Sequence, residues 1–141
     1  MHTTATLARR YFDEVLSKGE LAVADEILAP DLEFHGPNYW GEAIRGREAF
    51  KGFVTYLRSA FPDIRFQVGL EIGDDNWTAT SFRFVATHRG EWMGIAPTGR
   101  PIDLPGLDLF RVERGRIQEI RVFYDTLGLL QQLGVVEAPR N

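Results

Sequence analysis

Residues 97–134, PTGRPIDLPGLDLFRVERGRIQEIRVFYDTLGLLQQLG, decide the reading of this chain. Two runs of strand-forming residues flank Arg114-Gly115, a two-residue turn signal, and a short amphipathic helix follows from Thr126. Three ionisable residues, Asp108, Arg121 and Asp125, lie among Leu, Ile, Val and Phe, where a charge is costly unless it is paired or used. A two-residue loop sets Glu113 opposite Arg116, Val112 opposite Ile117, Phe110 opposite Glu119 and Asp108 opposite Arg121. The period of two then gathers Leu107, Leu109, Ile120, Val122 and Tyr124 on an apolar face. Asp108, Phe110, Val112, Ile117, Glu119, Arg121, Phe123 and Asp125 fall on a mixed face, which reads as a cavity wall. A three-residue loop with a bulge at Gly115 would slip that pairing by one and part Asp108 from Arg121.

Outward from the hairpin, the preceding strands are residues 64–72, ended by Gly73-Asp74-Asp75-Asn76, and 77–88. Ile64, Phe66, Val68, Leu70 and Ile72 alternate as one clean face. A helix over 47–61 presents Phe50, Phe53, Val54, Leu57, Ala60 and Phe61 and closes at Pro62. A short strand, 32–37, alternates Leu32 and Phe34 with Glu33 and His35. The loop 36–46, with Tyr39 and Trp40, is long and aromatic enough to form a cavity rim. Two helices open the chain. The first is capped by Thr3 or Thr4, carries Leu7, Tyr11, Phe12, Val15 and Leu16 on one stripe and ends at Lys18-Gly19; the second covers 21–29. Early helices and late antiparallel hairpins argue an α+β domain spanning residues 1–141, a curved sheet wrapped against helices.

Composition narrows the function. The 141 residues carry a net charge of −4 without a basic block, which gives no footprint for nucleic acid or anionic membrane. No apolar run reaches the ~20 residues of a membrane span, and the first residues lack a signal-peptide pattern, so a cytoplasmic protein is expected. The absence of cysteine removes disulfides, thiolate metal sites and cysteine nucleophiles. Two histidines beyond His2, His35 and His88, are too few and too unpatterned to argue a metal site. No nucleophile elbow, phosphate loop or dinucleotide fingerprint is present. Trp40, Trp77, Trp92 and four tyrosines suit either a packed core or a cavity for a flat organic ligand.

Thr87-His88-Arg89-Gly90-Glu91-Trp92-Met93-Gly94 running into Pro97-Thr98-Gly99-Arg100 resembles the signature of SnoaL-like polyketide ester cyclases. Asp108-Leu109-Phe110-Arg111, Gly115-Arg116-Ile117 with Glu119, Tyr124-Asp125, and Leu129-Leu130-Gln131-Gln132-Leu133-Gly134 resemble it too, as do His35 and Phe61-Pro62-Asp63. The resemblance implies the cone of the nuclear-transport-factor-2-like superfamily, a pocket inside the sheet and a homodimer. It also implies ring closure by intramolecular aldol condensation of a hydrophobic or aromatic substrate, with no metal and no cofactor. By motif the catalytic aspartate falls on Asp125; Asp108 stands at the strand position that suggests itself for a helper histidine, and Arg121 stands where many members carry Trp.

The candidate catalytic group is therefore Asp125, Asp108, Arg121 and His88, with His35, Tyr39, Trp40, Trp77, Trp92, Phe110 and Phe123 as candidate substrate contacts. Asp125 reads either as the base or as the cap of the helix beginning at Thr126. Two carboxylates flanking Arg121 would also suit an epoxide-opening enzyme, hydrolytic or forming a cyclic ether. A pocketed binding module without turnover is the non-enzymatic reading.

Overall fold

A computed structural model describes residues 3–37 and 40–137. Helix α1 (Thr3–Arg10) runs on into a π-helical stretch, Tyr11–Ser17, and α2 (Leu21–Ile27) folds back beside it. The expected stripe is the buried one, with Leu7, Tyr11, Phe12, Val15 and Leu16 all inside. Within the π-helical stretch Tyr11, Phe12, Val15 and Leu16 are all buried, and the Phe12 ring packs on Phe66 and Phe82 of the sheet. Thr4 lies within α1 rather than capping it, and its hydroxyl donates to the Asp75 carbonyl at 3.1 Å.

Strand β1 (Leu28–His35) begins four residues earlier than the alternation suggests and passes through Pro30, so α2 is shorter than expected. A two-residue strand, β2 (Ile44–Arg45), was not foreseen. Helix α3 (Arg47–Ala60), β3 (Arg65–Gly73), β4 (Trp77–Thr87), β5 (Pro101–Glu113), β6 (Arg116–Tyr124) and α4 (Thr126–Gln132) match their expected places closely. The strands form one sheet in the order β2-β1-β6-β5-β4-β3, with β1 and β6 parallel and the other neighbours antiparallel. Its concave face packs on the helices through a continuous core that includes Phe12, Phe34, Phe50, Phe110 and Ile120.

Two bulges correct the expected faces. The β5–β6 turn is the two-residue kind, with Arg114 and Gly115 both at positive φ (51° and 76°). Glu113 pairs with Arg116 and Val112 with Ile117, as the arithmetic requires, but the register then shifts. Arg111 meets Glu119, Phe110 meets Ile120, Leu109 meets Arg121 and Asp108 meets Val122, which leaves Gln118 as the extra residue. Its amide instead donates to Asp31 on β1 at 3.0 Å, where β1 is itself irregular between Leu28 and Glu33. Ile117, Ile120 and Val122 thus all face inward with Asp108, while Glu119, Arg121 and Phe123 face outward. Asp108 and Arg121 lie on opposite faces, so no cross-strand ion pair forms.

In β3 a shift between Val68 and Glu71 does the same. Glu71 turns in to meet Arg9 at 2.6 Å, and Leu70 and Ile72 are turned out, 71% and 69% exposed. Gly69 sits in this bulge, where an added Cβ would lie 2.7 Å from the Ser81 hydroxyl.

The chain leaves β6 through a sharp helix start. Asp125 is the N-cap of α4, and its Oδ1 accepts the Gly128 N–H at 2.8 Å. Gly128 has no room for a methyl group, because a Cβ there would overlap the Asp125 carboxylate. Asp125→Ala should therefore cost about 1 kcal/mol of stability, measured by urea unfolding. Gly128→Ala should cost at least as much by displacing the cap, although alanine is the better helix former.

Candidate active site

The helices, the concave sheet face and the loop before β2 enclose an aromatic cavity of about 70 Å³. Phe34 from β1, Trp40 from the loop, Phe53 from α3, Trp92 from the β4–β5 connection and Tyr124 from β6 form much of its wall. These rings pack edge to face and tilted at centroid distances of 5–6 Å, for example Trp40 on Trp92 at 5.7 Å and Phe53 on Trp40 at 5.2 Å. Phe66, Phe82 and Phe84 line the sheet side. Gly106 on β5 is needed opposite Phe82, since a side chain there would run into that ring.

One carboxylate enters this apolar space. Asp108 lies in the middle of β5, is 2% exposed and lines the cavity. Its Oδ1 has no hydrogen-bond partner among the described residues, and burial pushes its pKa well above the usual carboxylate range. Across the β4–β5 ladder it faces Thr80, whose buried hydroxyl also lacks a partner. Tyr11 closes the third side, its ring packed edge-on against Phe110 at 5.2 Å and stacked on Phe50 at 5.9 Å. Desolvation and the nearby Asp108 charge raise the Tyr11 pKa, which keeps the phenol protonated.

The remaining candidates are dispersed. Asp125 is exposed, caps α4 and lies outside the cavity lining. Arg121 projects from the outer sheet face and binds Glu119, which Arg111 also holds at 3.1 Å. The Asp108–Arg121–Asp125 trio expected for epoxide opening is thus not one group. His88 is fully buried beside Phe61 at 5.5 Å. Its Nδ1 accepts the Thr98 N–H at 3.2 Å and meets the Thr98 hydroxyl at 3.0 Å, which ties down the segment between β4 and β5. Burial lowers its pKa, opposed by the Gly90 backbone and the Glu91 charge. It does not line the cavity.

Of the expected substrate contacts, Trp40 and Trp92 line the cavity. Phe110 is fully buried beneath it, against Tyr11 and Phe12. Trp77 and Phe123 stand on the outer face, 38% and 55% exposed: Trp77 alternates with the buried Thr78, Thr80 and Phe82 along β4, and the β6 bulge gives Phe123 the parity opposite to that expected. Tyr39 lies outside the described residues. His35 sits with Arg121 in an outer cleft of about 390 Å³ that shares Val122 and Tyr124 with the cavity. Ligand atoms of His35, Glu33 and Glu119 lie within 4.8 Å of one another, a spacing that a metal ion could bridge. Arg45 on Glu33 and two arginines on Glu119 already supply the positive charge there, so the donor set suits an ion-pair network better than a metal.

Sequence reasoning missed Tyr11, Thr80, Phe53, Phe82, Val122 and Tyr124 as site residues. Tyr11 and Phe53 read as core because helix periodicity reports only which side faces inward. A usable signal existed for Val122: Ile117 and Ile120 are three apart, which a regular strand cannot place on one face.

The comparisons agree with this architecture. The family model described as SnoaL-like polyketide cyclase matches residues 6–133. The aklanonic acid methyl ester cyclase DnrD of Streptomyces peucetius is 31% identical over 110 residues, covering 77% of this chain and 72% of that protein. DauD of Streptomyces sp. strain C5, an enzyme of the same name, is 31% identical over 114 residues, covering 79% and 67%. Among solved structures, wild-type IdmH from Streptomyces antibioticus superposes with a TM-score of 0.81 at 30% identity, covering 94% of this chain and 99% of that one. A SnoaL-like protein from Jannaschia sp. CCS1 superposes with a TM-score of 0.87 at 23% identity, covering 97% and 94%, and shares the fold. An α+β cone with an internal aromatic cavity, matched over nearly its whole length, places this chain in the SnoaL-like polyketide cyclase family.

Proposed function

We propose that this protein closes a ring by intramolecular aldol addition in a flat, oxygen-bearing polyketide, with Asp108 as the acid–base group and no cofactor. The observation that carries this reading is a single carboxylate, 2% exposed, inside an aromatic cavity. An activated methylene between two carbonyl groups spreads its own enolate charge, so it asks the protein mainly for a strong base and exclusion of water. Burial raises the basicity of Asp108, and the wall supplies the dry environment. The curated relatives are named for aklanonic acid methyl ester, which makes that ester the substrate to try first. Multi-ring ligands fill several hundred Å³, so substrate must part the aromatic wall to enter. Asp125, engaged by α4 at the surface, serves in this reading to fix the end of β6.

The outer sheet face supports a homodimer. Leu70, Ile72, Trp77, Leu107 and Phe123 are exposed together there, more apolar surface than an isolated sheet face normally leaves in water. Arg83 and Asp103, paired at 2.6 Å, belong to the same face and suit a polar rim.

Asp108→Asn should abolish turnover of aklanonic acid methyl ester, followed by absorbance and mass spectrometry of the product. The same change should raise the melting temperature at pH 7. A carboxyl whose folded pKa is raised binds more protons folded than unfolded, so its contribution to stability falls as pH rises above the ordinary carboxylate value. At pH 4 and below the gain should shrink. Retained turnover in this variant would remove Asp108 from the mechanism, and absence of turnover in the wild type across polyketide esters would favour a binding module. Light scattering should give a dimer that Phe123→Glu dissociates; a monomeric wild type would refute the pairing.

A further inference from the structure

The reading of Asp108 as the acid–base group leaves the other half of an aldol addition unassigned: something must receive the charge that develops on the acceptor carbonyl oxygen. Among the described residues the cavity wall contains three titratable side chains, Asp108, Tyr11 and Tyr124, the rest of the lining being apolar or tryptophan. Tyr11 is 1% exposed and is held from two sides, by Phe110 edge-on at 5.2 Å and by Phe50 in a stack at 5.9 Å. Phe110 lies two residues from Asp108 on the same inner face of β5, so the ring that positions Tyr11 adjoins the carboxylate. The π-helical stretch begins at Tyr11, and π turns within helices are frequent at functional sites. Phenol and carboxylate therefore share one otherwise apolar chamber, with Thr80 opposite Asp108 on the β4–β5 ladder.

We propose that Tyr11 is a second catalytic residue, a hydrogen-bond and proton donor to the acceptor carbonyl oxygen. The inference rests on the aldol reading above. In the step itself, the carboxylate of Asp108 removes a proton from the activated methylene. The electron pair of that C–H bond forms the new C–C bond to the acceptor carbonyl carbon. The carbonyl π pair moves onto oxygen, which takes the phenolic proton of Tyr11. Asp108, now protonated, returns its proton to the tyrosinate, and both residues are restored. The reaction is an addition, so no redox partner or leaving group is required. A phenol suits this task because the site keeps it protonated, and because a donor fixed by packing costs no reorganisation as charge develops.

Tyr11→Phe tests this, since the ring that packs on Phe110 and Phe50 is retained and only the hydroxyl is lost. In the substrate-free protein, carbon-detected NMR should show the Asp108 carboxyl titrating at higher pH in Tyr11→Phe than in the wild type, because the cavity loses a polar hydroxyl close enough to feel the Asp108 charge. With aklanonic acid methyl ester, kcat should fall on the order of 100-fold while KM changes little. An unaltered Asp108 titration overturns the proposal without any substrate. Wild-type kcat in Tyr11→Phe together with an inactive Asp108→Asn overturns it too, and leaves the role of Asp108 standing. Turnover retained in Asp108→Asn would instead sink the aldol reading on which it depends.

Discussion

The cavity exists because two strands each carry one residue more than their partners. A regular period of two would aim Ile120 and Val122 away from Asp108, and would set Leu70 and Ile72 inside with Val68. The extra residues, Gln118 in β6 and one at Gly69-Leu70 in β3, reverse the parity halfway along. Bulges also sharpen local twist, which lets a sheet curl around helices instead of lying flat on them. Inner and outer faces are therefore assigned by the bulges rather than by alternation. Asp108 with its apolar neighbours goes inside, and Glu119, Arg121 and Phe123 go outside.

That assignment sets a tension between stability and chemistry at Asp108. A carboxylate with no cation facing it and one oxygen without a partner, among the described residues, is a poor choice for holding a core together. The surrounding rings supply the compensation, since Tyr11, Phe12, Phe34, Phe50 and Phe110 form one interlocking aromatic network. The same rings exclude water, and without that exclusion the carboxyl would regain its ordinary acidity. Charges on the outer face behave differently. Arg111 and Arg121 pair with Glu119, and Arg111 also with Glu113, at the sheet surface, where pairing contributes little energy but keeps an exposed strand face soluble.

Much of this protein could be read in its residues, and the limits of that reading share a cause. Helix stripes, the Arg114-Gly115 turn, the aromatic rim at Trp40 and the family motifs all depend on local spacing, and the structure keeps each of them. Asp125 drew attention through motif and charge, yet one hydrogen bond to Gly128 commits its side chain to a helix end. The parity of Phe123 depended on a register shift that no local pattern encodes, apart from the three-residue interval between Ile117 and Ile120.

By itself, then, the sequence determined the α+β class, the order of the main elements, the hairpin turn and the membership of a cyclase family, because propensity, periodicity and short motifs act within a few neighbouring residues. Tertiary structure alone decided which carboxylate is buried and which caps a helix, which aromatic rings face the cavity, and that Asp108 stands with Tyr11 and Thr80 instead of Arg121. Those outcomes rest on strand register and on contacts between residues as distant as Tyr11 and Phe110, where a shift of one position exchanges the two faces of a strand.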